Sequence, residues 1–228
     1  MPYYIAGKQK RTMRKYLTEL IGTFFLVLTI GLAVNGGVGI LVPLAVGAAL
    51  MVMVYAGGHV SGAHYNPAVT LAIWIRGKIK ASDVLPYMIA QVAGAALAAL
   101  AVNYIIASKM PASANINADS VRALVAEVLG TFVLAYVVLN VATARGNEGN
   151  SFYGLAIGLT VTAMAYALGP VSGGAFNPAV AIGGGIMKMA AWSDMWIYAA
   201  GCFGGAAIAA LVFRFINAED HHVPPISE

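Results

Sequence analysis

The chain has 228 residues, of which 60% are hydrophobic and only 10% are charged. A soluble domain carries about 25% charged residues, so a water-soluble globule is excluded. The apolar runs at 20–34 and 84–107 lack the two-residue alternation of a membrane β-barrel, which leaves a polytopic α-helical membrane protein. The formal charge of +4 does not point to nucleic acid, because its largest cluster (Lys8, Lys10, Arg11, Arg14 and Lys15) stands directly before the first apolar run.

A membrane crossing needs about 20 residues. On that measure the chain offers spans near 16–35, 40–57, 84–107, 121–142, 152–169 and 194–216. The first is long and has no small-residue cleavage site, so it is a spanning helix rather than a removed leader. Residues 1–13 form a basic segment ahead of it, and 217–228 a short, polar, mobile tail. Two further apolar pieces, 67–76 and 178–187, lie between the second and third and between the fifth and sixth spans. At about 1.5 Å per residue each reaches about 15 Å, half of the hydrocarbon core. Each begins at Asn-Pro: Asn66-Pro67-Ala68-Val69 and Asn177-Pro178-Ala179-Val180. Asn is a good N-cap and Pro is suited to the first helical position, so a half-length helix should start at Pro67 and at Pro178.

The chain repeats itself. Glu19-Leu20-Ile21-Gly22-Thr23-Phe24 corresponds to Glu127-Val128-Leu129-Gly130-Thr131-Phe132 at an offset of 108. The two Asn-Pro-Ala-Val stretches, Ser82-Asp83 with Ser193-Asp194, and Gly94–Leu100 with Gly205–Leu211 follow at an offset of 111. Each copy holds three spans and a half-helix. An odd number of spans inverts the second copy, giving an inverted repeat of the kind transport proteins use. Lys and Arg favour the cytoplasmic side. With the N-terminus inside, Lys8, Lys10, Arg11, Arg14, Lys15, Arg76, Lys78, Lys80, Arg145 and Arg214 are inside, and only Lys109, Arg122 and Lys188 are outside. Both termini are therefore expected in the cytoplasm.

Non-helical backbone at membrane depth must be buried in protein or line a wet cavity. Two inverted half-helices would meet near the midplane at Pro67 and Pro178, each N-terminus carrying roughly half an elementary positive charge. Asn66 and Asn177 would donate from their amides to a passing solute. The loops around 59–65 and 168–176 would supply carbonyl acceptors. Such a track suits a neutral hydrogen-bonding molecule and repels cations.

On these residues the chain resembles the aquaporin family, also called the major intrinsic protein family. Both Asn-Pro-Ala motifs, Asn66–Ala68 and Asn177–Ala179, are intact, and Glu-x-x-Gly-Thr-Phe opens each repeat. The resemblance spans about 14–216, with the repeats at about 14–107 and 121–216. It implies an all-α fold of six spans and two re-entrant half-helices. It also implies a passive plasma-membrane channel for water and small neutral solutes, assembled as a homotetramer with one pore per subunit and needing no cofactor or metal. Its constriction would fall at Val46, Ala165, Gly174 and Val180; a slip of one residue would put Tyr166 in place of Ala165. The family usually has Arg where Val180 stands, and its glycerol-conducting branch usually has Asp at the next position, here Ala181. Without the guanidinium's charge and donors, the constriction is expected to be wide and apolar, passing glycerol, urea or ammonia as well as water.

The resemblance makes Glu19 and Glu127 buried supports of the two loops and places His59 near the cytoplasmic mouth. His64 reads as loop structure. Gly94, Ala98, Gly205 and Ala209, spaced by four, fit close helix packing. Tyr87, Tyr198, Trp74, Trp192 and Trp196 read as interface anchors or packing. Cys202 reads as a small packing residue, and the tail pair His221-His222 lacks acidic or Cys partners for a metal. The alternative is a secondary transporter of a small neutral solute, which would need a titratable group at the midplane. An enzyme is disfavoured, since no nucleophile–base pair, Cys-His metal set or phosphate loop is present.

Overall fold

The computed structural model describes residues 2–106 and 119–222, with side chains at 13–106 and 119–220. The helices are α1 (Pro2–Asn35), α2 (Val42–Ser61), α3 (Pro67–Ile75), α4 (Ala81–Ile106), α5 (Ser120–Thr143), α6 (Tyr153–Ser172), α7 (Pro178–Ile186) and α8 (Met195–Ile216). Among the described residues six helices are long and apolar enough to cross a membrane, and α3 and α7, with nine residues each, are not. Lys109 and the tail beyond 222 lie outside the described residues.

The two halves are arranged alike. α1 packs on α2 and α4, α5 packs on α6 and α8, and α2 meets α6 across the centre. Each half-helix also leans on the other repeat: α3 on α8 and α7 on α4. In hydrocarbon there is no solvent-driven force between apolar helices, so close backbone approach carries the packing. A Cβ on Gly94 would overlap the Leu20 carbonyl oxygen of α1, and one on Gly205 the Val128 carbonyl oxygen of α5. A third crossing brings Gly47 of α2 against Gly158 of α6, again a pair offset by 111.

The basic residues ahead of the first span continue its helix: α1 runs from Pro2, and its membrane-crossing stretch begins at Met13. Three expectations need correcting. The second and fifth spans run to Ser61 and Ser172 instead of stopping near 57 and 169. Gly57-Gly58 and Gly169-Pro170 do not interrupt them, since at membrane depth the backbone keeps its helical bonds wherever it can. The helices stop only at Gly62 and Gly173, both at φ 86°, whose N–H groups bond back to Gly58 and Gly169. The loops before the half-helices are accordingly short, 62–65 and 173–176. Lastly, the start of the tail is not loose. Residues Ala218–His222 form a 3-10 turn, and Asp220 Oδ2 lies 3.2 Å from Arg76 Nη2 and accepts from Arg145 N at 3.1 Å. The Arg76 guanidinium sits 5.0 Å over the Phe213 ring.

Candidate functional site

The site starts with two caps. Asn66 and Asn177 are extended (φ −157° and −159°), and each side-chain oxygen accepts from its half-helix. Asn66 Oδ1 takes Ala68 N at 2.8 Å, and Asn177 Oδ1 takes Ala179 N at 2.9 Å. Committing the oxygen to the cap fixes where the amide nitrogen points. Asn66 Nδ2 donates to Phe176 O and Asn177 Nδ2 to Tyr65 O, both at 2.9 Å. The two half-helices therefore abut at their N-termini, stitched by a reciprocal pair of bonds. Each Nδ2 carries two hydrogens and uses one on this stitch. Both Asn side chains line the same cavity, so the second hydrogen is available to whatever occupies it.

The residue before each Asn has left-handed backbone, Tyr65 and Phe176 both at φ 47°. Such backbone is unfavourable for non-glycine residues and persists only when its surroundings over-determine it. The repeat-opening motif supplies the surroundings. A Cβ on Gly22 would fall inside the Tyr65 ring, and one on Gly130 inside the Phe176 ring. Each glycine thus seats the aromatic ring of its own repeat's loop. Glu19 Oε1 accepts from Ser61 Oγ (2.6 Å) and His64 N (3.0 Å), and its Oε2 from Tyr65 N (2.7 Å) and Gln91 Nε2 (2.8 Å). Glu127 Oε1 accepts from Ser172 Oγ (2.7 Å) and Ala175 N (3.0 Å), and its Oε2 from Phe176 N (2.7 Å), with Cys202 Sγ at 3.5 Å. Both carboxylates are 0% exposed. Each satisfies N–H groups that the loop cannot pair within itself.

Tyr87 and Tyr198 are not interface anchors. They are buried, and their hydroxyls donate at 2.8 Å to the Ser61 and Ser172 carbonyls, closing the ends of α2 and α6. Trp74, Trp192 and Trp196 are exposed. His59 is exposed in the last turn of α2 and does not line the cavity; His64 does. The surroundings of His64 also fix its tautomer. Thr70 spends its single hydroxyl hydrogen on Asn66 O (3.0 Å) and accepts from Gln91 Nε2 (2.9 Å). His64 Nδ1, at 3.1 Å from Thr70 Oγ1, must then be the donor. In a neutral ring Nε2 is left as an acceptor, and no protein donor among the described residues reaches it. Sequence reasoning missed Gly22, Gly130, Gln91 and His64. Their signal was present for the glycines, in the duplicated Glu-x-x-Gly, and absent for the rest.

The cavity between the half-helices and α1, α2, α5 and α6 has a volume of about 290 Å³. Val46, Ala165, Gly174 and Val180 all line it, together with apolar residues such as Leu26, Leu50, Leu134 and Val138. Tyr166 does not line it and is 44% exposed, so the slipped register fails. No charged side chain among the described residues lines the cavity. Gly174 has φ 65°, and a Cβ there would lie 3.0 Å from Gly169 Cα. The backbone itself therefore disfavours any larger side chain at that point of the wall.

A model of the major intrinsic protein family matches residues 7–213. The chain belongs to that family. This major intrinsic protein is 38% identical over 218 residues to glycerol uptake facilitator protein-like 6 of Lactiplantibacillus plantarum, covering 91% of this chain and 100% of that one. It is 38% identical over 217 residues to aquaporin NIP1-3 of Oryza sativa subsp. japonica, covering 91% and 75%. It is 33% identical over 243 residues to aquaporin AqpM of Methanothermobacter marburgensis, covering 90% and 98%. The X-ray structure of the aquaglyceroporin from Plasmodium falciparum matches with a TM-score of 0.78 at 22% identity, over 93% of this chain and 100% of that one. That likeness speaks for the fold: six spans and two re-entrant half-helices. The protein is a multi-pass membrane channel for water and small solutes, not an enzyme.

Proposed function

We propose that this major intrinsic protein conducts water together with uncharged solutes of glycerol's size, by diffusion, through a constriction at Val46, Ala165, Gly174 and Val180. One observation carries the reading: these four small or apolar residues share the cavity with Asn66 and Asn177, and no Lys, Arg, Phe or Trp among the described residues lines it. The relative named a glycerol uptake facilitator protein-like protein supports the same solute class. The permeant is met by one amide hydrogen from each Asn and by the positive ends of α3 and α7. These dipole ends disfavour cations at the centre. Glu19 and Glu127 brace the loops; with both oxygens of each engaged there, neither is free to couple transport to an ion. The setting is the plasma membrane, with both termini cytoplasmic and four copies per assembly.

The test is stopped-flow light scattering on proteoliposomes under water, glycerol and urea gradients, with Val180→Arg alongside. The parent is expected to pass all three, and the variant to lose glycerol flux before water flux. A parent that passes water and rejects both glycerol and urea overturns the solute reading. A variant that carries glycerol unchanged overturns the place given to Val180.

A further inference from the structure

The two repeats are not equal where their half-helices flank the cavity. At the offset of 111, Thr70, Ile73, Ile79 and Tyr87 of the first repeat correspond to Ala181, Gly184, Ala190 and Tyr198 of the second. The second set lines the cavity and the first does not. In the first repeat the space between half-helix and loop is filled by a polar network: His64 on Thr70, Thr70 on Gln91, and the His64 ring 5.1 Å from the Tyr87 ring. The counterpart of His64 is Ala175, and that of Gln91 is Cys202. So the network is missing on the α7 side, and the cavity runs on into the gap.

The recess left there is apolar. Ala181, Ala190 and Tyr198 form a small cluster of their own, with Ala175 packed on it. The Tyr198 hydroxyl is committed to the Ser172 carbonyl at 2.8 Å. The recess also has room: a Cβ built on Gly184 would meet a single neighbouring heavy atom, the Ala190 Cβ, at 3.8 Å. The one cavity thus holds both the amide donors of Asn66 and Asn177 and this methyl-lined stretch of wall.

We propose that this recess takes up the alkyl end of an uncharged amphipathic solute, and that Ala181, Gly184 and Ala190 set a preference for short diols over triols of equal length. The proposal rests on the channel reading above and names the solute class of the same passage. A methyl group entering the recess leaves water for an apolar surface, which is favourable. A hydroxyl entering it meets methyl groups and one side-chain hydroxyl, Tyr198, that is already engaged, and so loses hydration without a free side-chain partner. Propane-1,2-diol and glycerol differ by this one group, so their ratio isolates the recess from overall pore width.

The experiment measures propane-1,2-diol and glycerol flux by stopped flow in proteoliposomes, each corrected for protein-free vesicles of the same lipid. The proteins are the parent, Gly184→Ala and Ala190→Ile, the last installing the residue type of the first repeat. The diol-to-glycerol ratio should exceed one in the parent. It should fall about fourfold in Ala190→Ile, the factor for one methylene's burial, and by less but in the same direction in Gly184→Ala. Gly184→Ala fits without a close contact, so it answers the question even if Ala190→Ile does not fold. A ratio that stays level in a folded variant overturns the recess while leaving the channel reading intact. A parent that passes water but neither alcohol overturns both.

Discussion

Replacing Glu127 by Gln probes the part of the structure on which the second loop depends. The change keeps size and shape but turns one acceptor oxygen into an NH2 donor. Facing Oε1's partners, that donor would meet the Ser172 hydroxyl and the Ala175 N–H; facing Oε2's, it would meet the Phe176 N–H and the Cys202 thiol. The second orientation is the milder, since the bond it gives up from Cys202 is a weak S–H donation, yet it leaves the Phe176 N–H orphaned. A buried unsatisfied donor costs about 1–3 kcal/mol, and charge-assisted bonds are roughly twice as strong as neutral ones. The 2.7 Å bond from Phe176 N is of that kind, so the loss should be about 2–4 kcal/mol. Phe176 O accepts from Asn66 Nδ2, so the disturbance should reach the cavity centre. At a fixed scan rate, the thermal unfolding midpoint in detergent is expected to fall by roughly 5–10 °C, with water permeability falling as well. An unchanged midpoint together with unchanged permeability would refute the claim that the carboxylate holds this loop.

Three further outcomes follow from the geometry. Gly205→Ala should lower the unfolding midpoint by the equivalent of about 1–3 kcal/mol, because its Cβ overlaps the Val128 carbonyl oxygen; Gly204→Ala, whose Cβ meets nothing within 4 Å, should not. Gly174→Ala should also destabilise, by about 1–3 kcal/mol, since φ there is 65°; the same melt checks it. Asp220→Ala should remove the anchor of the 218–222 turn and leave the Arg76 guanidinium, only 4% exposed, without its carboxylate. The expected loss is about 3 kcal/mol, with faster proteolysis of the tail as the second readout.

What was legible in the sequence was whatever repeats or follows a period. Length and hydropathy located six spans, the duplicated motifs located two half-helices, and the offset of 111 paired the halves. The side-chain networks were not legible. Gln91 looks like one more residue in an apolar run until α4 brings it to Glu19. His59 and His64 cannot be ranked by spacing, since which of them faces the cavity depends on where α2 ends. The helix ends at Ser61 were hidden by Gly57-Gly58, which in water would invite a break.

The sequence by itself determined the topology, because burying apolar residues in lipid while satisfying every backbone group leaves few solutions. Only the tertiary structure decided how the Asn oxygens cap and so aim the Asn nitrogens, and how Gly22 and Gly130 seat the aromatic rings of their loops. It alone showed that the two repeats, so alike in motif, enclose unlike walls. Those are contacts between residues about 40 to 110 positions apart, and no local pattern in a chain records the chemistry of a neighbour that only folding supplies.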